Sequence, residues 1–234
     1  MMKNRPGGEL ASRPLYFFWI ADCSGSMSGD KIQQLNTAIR ETIPYMQKVA
    51  DENPYANILV RAIKFSSGAQ WHISSQSTPI ADFKWVDLVA GGLTDMGKAL
   101  SMLAEQLKIP PMTDRALPPV LVLISDGQPT DEFAEGLNAL MSLPWGKKAV
   151  RIAIAIGKDA DCDILQQFIG HSEIQPLKAN NPEQLVNYIR WVSTAVIKSV
   201  SSPSSQSENN GQNVVSVPLP PLPVNDPTSA GDVW

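Results

Sequence analysis

Asp22, Ser24 and Ser26 occupy alternate positions directly after residues 15–21 (LYFFWIA), a run with no polar interruption. Such a run reads as a strand buried on both faces of a parallel sheet. A carboxylate and two hydroxyls crowded at its carboxyl end are hard oxygen donors, the kind a small divalent cation such as Mg2+ takes. Two other segments carry donors of the same type. Residues 91–95 (GGLTD) contain Thr94, and residues 120–126 (VLVLISD) form a second apolar run ending on Asp126. The expectation is a metal site built from three loops, with Asp22, Ser24, Ser26, Thr94 and Asp126 as its ligands.

The same residue types admit other chemistry. Asp and Ser satisfy helix N-termini in any α/β protein, and one of these motifs alone would be read as capping. Three motifs together favour the metal. The enzyme alternative is a haloacid-dehalogenase-like, Mg2+-dependent phosphatase, with Asp22 as nucleophile and Asp126 and Asp131 as the late acidic motif. That reaction needs a second carboxylate two residues after the nucleophile as general acid. The position holds Ser24, and no segment is set apart as a cap. No GxGxxG opens the first helix, and residues 20–25 give no GxSxG elbow. His72 and His171 have no acidic or nucleophilic neighbour in sequence and are assigned no catalysis. Asp30, Asp95 and Asp131 read as helix caps or supports behind the site.

The elements that must position these groups alternate along the chain. Ile32, Leu35, Ile39, Ile43, Met46 and Val49 recur at helical spacing after Asp30, with Pro44 predicting a kink or break. Residues 57–65 read as a strand, and 70–73 as a short partner in a hairpin at the sheet edge. Thr94 and Asp95 open a helix with Met96, Leu100, Leu103 and Leu107 on one face. Strands follow at 120–125, 150–156 and 174–177, with helices around 133–141, at 161–169 and from Pro182. Trp71, Trp85 and Trp145 read as packing residues, and Trp191 as partly core. Strands alternating with amphipathic helices predict an α/β fold: a doubly wound, mainly parallel, Rossmann-like sheet flanked by helices. Ligands of such sheets sit at the carboxyl ends of the strands, where strand order reverses.

At 234 residues, 43% of them hydrophobic, the chain can bury one sizeable core. The expected organisation is a loose polar arm over 1–13, one domain over 14–198 and a disordered tail over 199–234. The tail is rich in Ser, Asn and Gln, then Pro, and its Pro-rich part is a candidate docking peptide. A net charge of −4 with both signs scattered argues against nucleic acid or an anionic membrane as partner. Cys23 and Cys162 form no CxxC pair and read as small buried hydrophobes in a reduced cytosol. A basic start before residues 15–21 imitates a lipoprotein signal, but the run is short and Asp22 precedes the cysteine. No stretch is long enough to cross a bilayer, so a cytoplasmic location is expected.

Asp22-x-Ser24-x-Ser26, with Thr94 and Asp126, resembles the metal-ion-dependent adhesion site of von Willebrand factor type A domains. Gly91-Gly92 before the threonine and residues 125–130 (SDGQPT) after the central strand fit the same pattern. The resemblance covers about residues 14–198. It implies a non-enzymatic interaction module whose five residues hold Mg2+ (or Mn2+), with an acidic residue of a protein partner completing the coordination. Residues 63–72 (IKFSSGAQWH) and 124–131 (ISDGQPTD) look most like small bacterial members associated with tellurium resistance. That likeness implies an adaptor in stress or phosphorylation signalling, beside a Ser/Thr kinase and a PP2C-type phosphatase.

Overall fold

The computed structural model describes residues 12–202 and 217–220. The sheet is built from β1 (Arg13–Asp22), β2 (Ala56–Ser66), β3 (Gly68–His72), β4 (Thr78–Pro79), β5 (Val120–Ser125), β6 (Val150–Ile156) and β7 (Leu177–Ala179). Its order is β3-β2-β1-β5-β6-β7, with β4 pairing β2. β1, β2, β5, β6 and β7 run parallel, and β3 and β4 lie antiparallel to β2. The 57–65 and 70–73 segments thus form the edge hairpin expected of them. Strand order reverses between β1 and β5, which opens the ligand crevice of doubly wound folds at their carboxyl ends.

The central strands explain the apolar runs. Alternate residues of β1 point to opposite faces. Leu15, Phe17, Trp19 and Ala21 enter one hydrophobic cluster, and Phe18 and Ile20 enter the other. The first cluster is closed by α1 (Asp30–Asp51) and α6 (Pro182–Trp191). A π-helical turn and α7 (Ile197–Ser201) continue α6. The second lies under α2 (Met96–Gln106), α3 (Phe133–Ser142), α4 (Pro144–Lys148) and α5 (Cys162–Ile169). Leu35, Ile39 and Met46 of α1 are fully buried, each contributing about 1.5–3 kcal/mol of burial free energy.

Several details differ from the sequence expectation. Of the kink or break expected at Pro44, the break is absent: α1 runs through it as one helix. Pro44 and Arg40, whose carbonyl loses its helical donor, are both exposed, on the side of α1 away from the core. The last strand is β7 at 177–179, three residues later than expected, because Leu177 and not Ile174 pairs with Ile154 of β6. α4 was not anticipated; Pro144 starts it and Trp145 buries against the second cluster. Arg13 belongs to β1 rather than a loose arm, donating to the carbonyls of Arg115 and Ala116. The helical run continues beyond residue 198 and buries Val200 and Ser201. Most of the expected tail, with its Pro-rich docking segment, lies outside the described residues, as does most of the expected arm. Among described tail residues, Val217 packs against the first cluster. Cys23 is buried as expected, whereas Cys162 is partly exposed at the start of α5; both are free thiols. Among the described residues no helix is long and apolar enough to cross a membrane.

Candidate metal centre

Asp22 is the last residue of β1, and its carboxylate is completely enclosed. Its Oδ1 accepts the Ser24 backbone N–H at 2.8 Å, which turns the chain so that Ser24 follows as a buried hydroxyl. Its Oδ2 accepts the Ser125 hydroxyl at 2.5 Å, tying the end of β1 to the end of β5 across the switch point. The hydroxyls of Ser24 and Ser26 lie 3.0 Å apart, and Ser26 Oγ donates to Asp126 Oδ1 at 2.7 Å. The first and third sequence motifs therefore form one continuous chain of oxygens.

The second motif is brought in by backbone pairing. Gly91 N–H donates to the Cys23 carbonyl at 2.8 Å, and Gly25 N–H to the Gly92 carbonyl at 3.1 Å. Thr94 and Thr130 exchange two bonds, Thr94 N–H to Thr130 Oγ1 and Thr130 N–H to the Thr94 carbonyl, both at 2.9 Å. Gly127 shows where the threonine hydroxyl ends up. A β-carbon added there would lie 3.5 Å from Ser26 Oγ and 3.8 Å from Thr94 Oγ1. The structure thus gathers Asp22, Ser24, Ser26, Thr94 and Asp126 around the crevice between β1 and β5.

Asp131 and Asp95 are a cap and a support, as expected, whereas Asp30 is not the cap of α1. Asp131 caps α2, although it lies in the loop after β5: its two oxygens accept Gly97 N–H and Lys98 N–H at 2.8 Å each. Asp95 stands at the N-cap position but turns its side chain to Gly68 N–H at 2.7 Å and Lys98 Nζ at 2.5 Å. Those contacts, the Lys98 bond foremost, hold its carboxyl below the usual range. Asp30 lies in the first turn of α1, behind Gly29 at the cap.

Two residues that touch this arrangement, Lys31 and Asn36, escape sequence reading. Lys31 places Nζ 2.6 Å from Asp126 Oδ2. Asn36, buried on α1, accepts from Trp85 Nε1 and Leu88 N–H and donates to the Leu88 carbonyl, fixing the loop that leads to Gly91. Ser125 was visible only as motif context. A lone signal existed for Lys31: a carboxylate ending an apolar strand needs a cation nearby.

The donor set fits a small, hard divalent cation: two carboxylates and three hydroxyls, with no sulfur or imidazole. Among the described residues no group of three or more His, Cys, Asp or Glu converges, which leaves no nitrogen- or sulfur-rich zinc site. Electrostatics agree. Burial pushes the Asp22 carboxyl up, opposed by hydrogen bonds from Ser125 and Ser24, and the Asp126 charge adds to the rise. A positive charge in the crevice offsets that cost, and the Lys31 ammonium already takes one side of it.

A doubly wound sheet with hydroxyls and carboxylates gathered at its switch point defines an α/β domain with a candidate divalent-cation site. The sequence matches the von Willebrand factor type A domain family over residues 18–188, and the chain belongs to that family. Solved structures share the fold at low identity. A von Willebrand factor type A protein from Catenulispora acidiphila aligns with TM-score 0.57 and 16% identity, over 79% of this chain and 43% of that one. Proximal thread matrix protein 1 from the mussel byssus, with a zinc-occupied adhesion-site motif, aligns with TM-score 0.59 and 18% identity, over 80% and 48%. The pilus adhesin SpaC of Lactobacillus rhamnosus GG, in an open conformation, gives TM-score 0.61 and 15% identity, over 80% and 30%. The chain spans under half the length of each of these structures. No match was found among curated proteins.

Proposed function

We propose that this chain is a non-enzymatic, metal-dependent protein-interaction module. Asp22, Ser24, Ser26, Thr94 and Asp126 would hold Mg2+ or Mn2+, and a protein partner would bring an acidic oxygen to it. The observation that carries this reading is the convergence of three loops on the β1/β5 crevice, linked by the Ser24–Ser26–Asp126 oxygen chain. A bound divalent cation supplies charge and an open coordination position; the chain's residues supply placement. Ser24 and Ser26 present neutral oxygens, so the cation's charge is only partly cancelled by protein. Val89 and Leu93, 85% and 56% exposed on the loop leading to Thr94, give the rim an apolar character suited to a protein partner.

The metal reading has support from the zinc-occupied motif of the mussel protein, and the interaction role from the pilus adhesin. A finer role, as a cytoplasmic adaptor in bacterial stress or tellurium-resistance signalling, with a Ser/Thr kinase and a PP2C-type phosphatase as partners, rests on the 63–72 and 124–131 segments. Two free cysteines accord with a reducing compartment.

Calorimetry with Mg2+ and Mn2+ tests the proposal. Saturable binding is expected in the wild type and its loss in Asp22→Ala, with far-UV circular dichroism unchanged. Binding that survives Asp22→Ala removes the site assignment. Capture of partners with and without Mg2+ then tests the interaction role.

A further inference from the structure

Arg61 points into the second cluster from the middle of β2, on the face that carries Ile63 and Phe65, and is 95% buried by its 5% exposure. Buried guanidinium groups are normally held by a carboxylate or phosphate. Among the described residues no carboxylate pairs with Arg61. Its guanidinium stacks on the Trp71 ring, 3.4 Å from the centroid, and donates to Gln106 Oε1 and the Ser75 carbonyl. These partners are neutral, and Nε is buried with no hydrogen-bond partner. Desolvation brings the group down to about 10, so it is still a cation at neutral pH.

Beside these contacts Arg61 borders open space. It lines a cavity of about 290 Å³ with Tyr16, Phe18, Leu59, Ser77 and Gln106. Tyr16 and Phe18, near-parallel at 6.4 Å between centroids with an interplanar angle of 14°, supply its aromatic side. An apolar cavity with one convergent charge and a few polar groups is the usual form of a small-molecule site. Phe18 precedes Asp22 by four residues of β1, about 13 Å at the rise of a strand, so this cavity is separate from the metal crevice.

We propose that this cavity is a second ligand site, for a small organic oxyanion carried on a flat apolar body, with Arg61 taking the oxyanion and Tyr16 and Phe18 the ring. The chemistry is shared by aromatic carboxylates and aryl phosphate monoesters, and it is independent of the metal. Two probes separate the sources: 4-hydroxybenzoate and phenyl phosphate, titrated into the full chain in EDTA by calorimetry and indole NMR, with phenol as the neutral control. The expected result is saturable one-to-one binding of at least one anion, no binding of phenol, and a shift of the Trp71 indole resonance. The tighter anion names the source. Arg61→Met should weaken that binding at least tenfold, about 1.4 kcal/mol. Leu59→Trp, which fills the cavity and leaves Arg61 in place, should block binding and carries the test if Arg61→Met does not fold. Absence of binding for both anions overturns the proposal, as does equal binding by the wild type and the variants.

Discussion

Lys31 Nζ lies 2.6 Å from Asp126 Oδ2, pairing a lysine side chain 21% exposed with a carboxylate side chain that is wholly enclosed. The second residue of α1 thereby reaches across the crevice to the loop after β5. Because Asp126 also accepts from Ser26, the ammonium competes with any cation for the same carboxylate. Replacing Lys31 by Met removes the competitor while keeping the aliphatic stem. A partly exposed pair of this kind is worth about 1 kcal/mol, so Mg2+ should bind about fivefold more tightly in Lys31→Met. Calorimetric titration at low ionic strength reads this directly. Unchanged or weaker binding would mean that Lys31 supports the site and does not compete for it.

α2 and α3 approach closely enough that two glycines are required between them. A β-carbon on Gly136 would stand 2.2 Å from the Gly97 carbonyl oxygen, and one on Gly97 would stand 2.5 Å from the Glu132 carbonyl oxygen. Gly136→Ala should force the helices apart at a cost of about 1–3 kcal/mol. Because Asp131 caps α2 from the loop preceding α3, the displacement should also loosen the Thr94 loop. Urea denaturation and Mg2+ affinity should therefore fall together. A drop in stability with metal affinity intact would separate the helix contact from the site.

The contrast between what could and could not be read along the chain follows the range of the interactions. β1 and β5 announced themselves because a strand covered on both faces must be apolar throughout, and the polar residues ending each run then stood out. Thr94 and the glycines before it were legible as a local loop motif. Lys31 and Asn36 were not, since each meets its partner only after the sheet has formed: Asp126 is 95 positions away and Leu88 is 52. Pro44 does not break α1, because the cost of proline in a helix depends on where the orphaned carbonyl faces, and that is decided by packing. The β7 register slipped for a similar reason. Both Ile174 and Leu177 are apolar, and only pairing with Ile154 selects one as the strand. Arg61 lay inside a correctly anticipated strand, yet its burial and lack of a carboxylate partner are tertiary facts.

His72 offers a pH test remote from the metal. It is buried at the end of β3, with Nε2 2.6 Å from the Val86 carbonyl and its ring packed edge-on to Trp85. Burial lowers its pKa below the ordinary 6.5, the Lys64 charge adds to the fall, and the Val86 contact opposes it. As pH drops through that ordinary value the unfolded chain takes up a proton that the folded chain resists, so stability decreases. Above it both states are neutral there and the penalty vanishes. Between about pH 7.5 and 5.5 the wild type should lose more stability than His72→Gln does. Denaturant midpoints for the two proteins at each pH check this, and parallel slopes would exclude His72 as the source.

The geometry of Asp22 also bears on whether the site turns over phosphate esters. A dehalogenase-like nucleophile must present a carboxylate oxygen to the substrate, with a second carboxylate nearby to protonate the leaving group. Asp22 is 0% exposed, and both of its oxygens are engaged, one by Ser24 N–H and the other by the Ser125 hydroxyl. Two residues on stands Ser24, whose hydroxyl meets Ser26 and not an acid. Attack through Asp22 would require breaking the bonds that fix the end of β1, and the position of the general acid is held by a hydroxyl. With Mg2+ present, hydrolysis of a general phosphomonoester such as p-nitrophenyl phosphate should therefore equal that of an Asp22→Asn control prepared identically. The control matters because Asn keeps the side-chain shape and can still accept from Ser24 N–H while lacking the charge. Turnover that depends on Asp22 and reproduces across preparations would overturn the interaction-module reading and place the chain's chemistry at this carboxylate.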